Sequence, residues 1–214
     1  IINLQTFIWK KMIYKNIFTS DKIYEKNSLY FSIFLKKFLK KEKLNRKTIK
    51  VLDFGCGPAS LHRYIKFDNL FLYDKHINKS LSSNFYFNNF AKLKKTKIKF
   101  NLIIINSVAQ YIGHKEFSKI LNILLKKLSK DGIIFVGEIP RFNRFLELFM
   151  IINPIKIFYL LFYFLKRPSY ITQKYFFFKK EFFKNKATKN LSIKFSKTNS
   201  YFFKKRFCVY MKKS

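Results

Sequence analysis

From Ile49 onward the apolar residues arrive in short runs, and this spacing constrains the fold more than any other feature of the chain. The runs are IKVLDF (49–54), LFLY (70–73), FYF (85–87), FNLIIIN (100–106) and GIIFVG (132–137), separated by helical or turn-like stretches. Such alternation is the signature of βα units and a parallel sheet. Between the fourth and fifth runs, EFSKILNILLKKLSKDG places Phe117, Ile120, Leu121, Leu124, Leu125 and Leu128 on one helical face, with Gly132 after Asp131 as the expected stop. At the carboxyl end, LSIKFSKTNSYFFKKRFCVYMKK holds two alternating segments around Lys197-Thr198-Asn199-Ser200, which predicts an antiparallel hairpin over 191–213.

The expected organisation is one domain over 1–214. Residues 1–47 read as a lysine-studded helical lead-in, in which Ile23, Leu29, Ile33, Phe34, Phe38 and Leu39 recur at roughly helical spacing with Lys36, Lys37, Lys40 and Lys41 between them. Residues 49–140 would form the sheet core, 141–185 an insertion and 191–213 the closing hairpin. Within the insertion, FLELFMIINPIKIFYLLFYFL (145–165) is long enough to span a bilayer. Glu147, Asn153, Pro154 and Lys156 interrupt it, and a span would put the last two strands across the membrane from their own sheet. A helical lid of two short pieces is therefore expected, with peripheral membrane contact through 145–165 as its extension.

Lys and Arg number 45 against 11 Asp and Glu, a net charge of +34. One reading is a polyanion partner, since lysine-lined faces gain affinity by releasing counterions from phosphates. Arginine supplies only six of the 45, however, and the guanidinium fork is the usual tool of specific phosphate and base recognition. Lys, Asn, Ile and Phe are in excess together, as in a chain encoded by an A+T-rich genome, so no sequence-specific nucleic acid is expected. Two cysteines, Cys56 and Cys208, suggest a reducing compartment and exclude a disulfide-stapled module. No signal-peptide pattern opens the chain at Ile1, and a cytoplasmic location is expected.

The first strand runs into VLDFGCGPAS (51–60), where an acid at the strand end precedes Gly-x-Gly and the expected start of a helix at Pro58 and Ser60. Gly55 and Gly57 let the backbone turn tightly and approach a ligand, and a helix start offers unpaired N–H groups. A second strand ends in Asp74, twenty-one residues after Asp53, where an acid can accept both ribose hydroxyls of a nucleoside. A dinucleotide fingerprint would want Gly where Ser60 stands and has no need of Asp53.

The arrangement D-x-G-x-G-P-A instead resembles the first motif of class I S-adenosylmethionine-dependent methyltransferases, and the resemblance extends along the core. It implies an α/β, Rossmann-like, seven-stranded, mostly parallel sheet of order 3-2-1-4-5-7-6 with a C-terminal antiparallel hairpin and a helical lid insertion. It implies S-adenosylmethionine as cofactor, held by Asp53, Gly55, Cys56, Gly57 and Asp74, with Asn89 near the adenine amino group and Asn106 and Ser107 in the loop that faces the methionine moiety. Ala59 replaces the usual third glycine, Asn89 a usual Asp, and Asn101 stands where many members have Asp. Methyl transfer then needs mainly alignment of an acceptor and removal of its proton. His114, Glu138 and Tyr111 are the candidate bases; His62 and His76 read as incidental, and Cys56 lacks the His partner of a nucleophile. The expected acceptor is a small molecule, apolar or lipid-linked, under the aromatic insertion. The rival reading is a non-catalytic, basic membrane- or nucleic-acid-binding protein that keeps the same fold.

Overall fold

The computed structural model describes residues 22–57, 59–75, 86, 87, 89–143, 147, 174–197 and 206–213. The expected lid helices of 145–165, Pro58, His76 and most of the hairpin turn lie outside them, save Glu147. In chain order the elements are α1 (Lys22–Lys41), β1 (Lys50–Phe54), a 3₁₀ turn (Ser60–Arg63), β2 (Asn69–Tyr73), β3 (Tyr86–Phe87), α2 (Phe90–Lys95), β4 (Phe100–Asn106), a second 3₁₀ turn (Ala109–Tyr111), α3 (His114–Lys126), β5 (Leu128–Ile139), α4 (Lys180–Lys184), β6 (Leu191–Lys197) and β7 (Phe207–Lys213). The strands form one sheet of order β3-β2-β1-β4-β5-β7-β6, as the resemblance implies. No helix among the described residues is long and apolar enough to cross a membrane.

By its contacts the chain divides within β4, after Ile103, into two compact units. In the first, β1 runs parallel to β2 from Lys50↔Asn69 to Phe54↔Tyr73, and β2 parallel to the short β3. Val51, Leu52, Leu72, Phe100 and Leu102 are fully or nearly buried, which is why these strands read as unbroken apolar runs. Asn101 accepts a hydrogen bond from the Lys50 amide (2.9 Å), fixing the start of β1. α1 turns Phe31, Leu35, Phe38 and Leu39 inward, while Leu29 and Ile33, which recur with Phe38 and Leu39 at helical spacing, are exposed. The sequence offers apolar residues on both sides of this helix, so periodicity alone does not choose the buried side.

In the second unit, α3 buries Phe117, Ile120, Leu121 and Leu124. It ends at Lys126 and not at Gly132: Leu128 is already a buried strand residue, and Asp131 takes a left-handed conformation (φ 60°) as a bend inside β5. Asp is among the few side chains that tolerate that region, so Asp131-Gly132 marks a strand bend and not a helix stop. β7 pairs antiparallel with both β5 and β6, giving the expected hairpin. Along β5 the pairing steps from Val136↔Val209 to Ile139↔Phe207, a bulge that contains Glu138.

Candidate active site

In the first unit the loop after β1 is built from left-handed residues. Gly55 (φ 79°), Gly57 (φ 54°) and Ala59 (φ 55°) alternate, and the Gly55 and Cys56 amides both donate to the Tyr73 carbonyl (2.7 and 3.1 Å). The loop is thus folded back on the end of β2. At Gly57 a Cβ would meet nothing within 4 Å, so the glycine is required by its φ and the space beside it is open. Ala59, expected as a tolerated stand-in for glycine, carries the backbone strain of that conformation. The helix expected from Ser60 is only a four-residue 3₁₀ turn. Fourteen residues join the end of β1 to β2, close to the minimum for a parallel crossover, and the buried Ile65 and Phe67 take up its return.

Two buried carboxylates face this loop's backbone and its first turn. Asp74 Oδ2 accepts the Gly57 amide (2.9 Å), and the Tyr86 hydroxyl donates to the Asp74 carbonyl (3.1 Å). Asp53 Oδ2 lies 2.7 Å from His62 Nε2, and both side chains are nine-tenths or more buried. His62, set aside as incidental, is thus in contact with Asp53, and its Nδ1 is buried without a partner among the described residues. Burial first, then Asp53 and Asp74, push the Cys56 thiol well above its ordinary pKa, so it is a neutral loop residue. Burial likewise pushes the Tyr86 phenol up to about 12. Asn89 is the N-cap of α2: its Oδ1 accepts the Lys92 amide (2.8 Å), and a second lone pair remains on that oxygen.

In the second unit Asn106 ends β4, and Ser107 (φ 55°) follows with its amide donating to the Gly137 carbonyl (3.2 Å). This places Ser107 beside the residue before Glu138. The Asn106 and Gln110 side-chain oxygens are buried without partners among the described residues. Tyr111 closes the second 3₁₀ turn, half-buried. His114 opens α3, and its ring nitrogen Nε2 donates to the Phe177 carbonyl (2.8 Å), which leaves the lone pair on Nδ1. Phe178 packs edge-on against the imidazole at 4.6 Å.

Glu138 is buried at the bulge in a left-handed conformation (φ 57°), 3.9 Å from the Arg206 guanidinium. Arg206 Nη2 also donates to Glu147 (2.9 Å) and to the Tyr175 hydroxyl (2.8 Å), which itself donates to Glu147 (2.6 Å). Glu147 had looked like a mere interruption of an apolar stretch. Neither Arg206 nor Tyr175 carries a sequence signal, because their partners are 59 and 28 residues away from them.

The order 3-2-1-4-5-7-6, with an acid at the ends of β1 and β2 and a glycine turn between, is the fold of class I S-adenosylmethionine-dependent methyltransferases. No protein-family model and no curated protein matches the chain. Solved structures do. The plantazolicin methyltransferase BpumL in complex with SAH is 15% identical over 99% of this chain and 98% of that one, with a TM-score of 0.59. An S-adenosylmethionine-dependent methyltransferase from Clostridium acetobutylicum ATCC 824 is 13% identical over 96% and 98%, at 0.57. The magnesium protoporphyrin IX methyltransferase from Synechocystis PCC 6803 with bound SAH is 13% identical over 94% and 93%, at 0.55. At such identities the likeness is one of fold.

Proposed function

We propose that this chain, acting as one domain, is a methyltransferase that binds S-adenosylmethionine and methylates a small-molecule acceptor. The observation that carries the reading is the buried Asp74 carboxylate tied to the Gly57 amide at 2.9 Å, in a loop of left-handed residues on this fold. The open space beside Gly57 fits a cofactor lying against the backbone. Bound S-adenosylmethionine would supply a sulfonium methyl already activated for attack. Asp74 would accept the ribose hydroxyls, and Asn89, through its second lone pair, the adenine amino group. Asp53, Gly55, Cys56 and Gly57 would hold the methionine end. Among the candidate bases His114 fits best, because its tautomer is set by Phe177. Glu138 already has the Arg206 guanidinium 3.9 Å from its carboxylate.

The acceptor we favour is apolar or lipid-linked. Similar structures named for magnesium protoporphyrin IX and plantazolicin support a small molecule over a macromolecule. Calorimetric titration with S-adenosylmethionine should give saturable binding that S-adenosylhomocysteine competes away. Label transfer from methyl-labelled cofactor should then appear in the small-molecule or lipid fraction of a cell extract. A folded chain that binds neither nucleoside would overturn the reading.

A further inference from the structure

We propose that the outward face of α1 is a docking surface for an anionic lipid bilayer. Four large apolar side chains are exposed among the described residues, and three of them, Leu29 (40%), Tyr30 (38%) and Ile33 (42%), stand on this one helix. At about 100° per residue they share an arc of about 140° with Lys36, Lys37, Lys40 and Lys41. All four lysines are exposed. The inner face is occupied, because Phe31, Leu35, Phe38 and Leu39 are buried. Glu25, at the edge of the arc, pairs with Arg63 at 3.4 Å, so no acid stands within the arc.

An aliphatic pair followed along the same face by four lysines matches the boundary between headgroups and acyl chains. Leu29, Tyr30 and Ile33 would enter the boundary, and the lysine stems would lie along it with their ammonium groups at the phosphates. A nucleic acid backbone would satisfy the lysines and leave the apolar residues with nothing to bury. A second copy of the chain would bring the same lysines together, and the net charge of +34 opposes that. The proposal does not depend on the proposed enzymatic activity.

Co-sedimentation of the full chain with vesicles tests it, comparing phosphatidylcholine alone with phosphatidylcholine containing about 30% phosphatidylserine, at about 0.15 M salt. Binding is expected to the anionic vesicles only. The triple variant Leu29→Ala/Tyr30→Ala/Ile33→Ala keeps strong helix formers at exposed positions and should lower the partition coefficient about tenfold. Lys36→Gln/Lys37→Gln/Lys40→Gln should lower it similarly, and Phe177→Ala, the remaining exposed apolar position, should leave it unchanged. Far-UV circular dichroism confirms that each variant folds. An alanine triple that binds like the parent chain would overturn the proposal, since adsorption would then reflect overall charge alone. So would lysine-dependent binding to single-stranded RNA that the alanine triple leaves intact while vesicle binding is absent.

Discussion

Replacing Arg206 with Met probes the least solvated charges in the second unit. The Arg206 and Glu147 side chains are 5% and 4% exposed and meet at 2.9 Å, with the Tyr175 hydroxyl bonded to both. Glu138, 9% exposed at the side chain, lies 3.9 Å away. Burial opposes the charge on Arg206, but Tyr175, Glu147 and Glu138 raise its pKa overall, so the guanidinium stays charged against two carboxylates. Methionine fills much of the volume and removes that cation from both buried carboxylates. Breaking a buried pair in this way costs about 3–5 kcal/mol, several times the value of a surface ion pair. In a chain of this length that corresponds to a fall in Tm of about 6–20 °C. Urea denaturation of Arg206→Met and of Arg206→Met/Glu147→Gln separates the causes. Neutralising Glu147 in the second variant should return at least about half of the lost stability, because the penalty is the orphaned charge and not the lost contact. A loss below about 1 kcal/mol, or a double variant no more stable than the single, would refute the reasoning.

Asp74→Ala should weaken S-adenosylmethionine binding by about 1.5–3 kcal/mol, the range for hydrogen bonds to a charged group, read by calorimetric titration of a folded variant. Ala59→Gly should stabilise the chain by about 1 kcal/mol, because glycine adopts φ near 55° without the Cβ clash that Ala59 bears there; an unchanged denaturation midpoint would contradict this. His62→Leu should destabilise by about 1–3 kcal/mol through the unpartnered Asp53 carboxylate, whereas His62→Gln, which can still donate, should lose less. The raised pKa of Cys56 means less thiolate at any given pH, so iodoacetamide at about pH 8 should label it at least about tenfold more slowly than free cysteine.

The central strands were legible because they are buried on both faces. FNLIIIN coincides with β4, and the other runs match their strands within a few residues, since a strand covered on both sides has no polar alternation to blur its limits. The elements misread are those whose limits depend on tertiary packing. Leu128 could extend α3 or begin β5, and only its burial in the strand decides. Leu29 and Ile33 have the spacing of a core stripe, yet Phe31 and Leu35 occupy the inside of α1, a choice that residue type does not make.

Of the residues singled out from sequence, those with a legible spacing are bound by the local geometry of the turn. Gly55, Gly57 and Asp74 are tied by backbone requirements that act over a strand, a loop and a strand, and such requirements leave a spacing to read. His62 was missed although it is only nine residues from Asp53. A full α-helix from Ser60 would have fixed one direction for its side chain. The short 3₁₀ turn gives another, and the 2.7 Å contact follows from that turn and not from the spacing. Glu138 was singled out for the place it holds at the end of β5, but its surroundings were not foreseen, because Arg206 stands just before the last strand. The surroundings of Glu138 therefore depend on a guanidinium supplied 68 residues later in the chain, which no spacing around β5 could have announced.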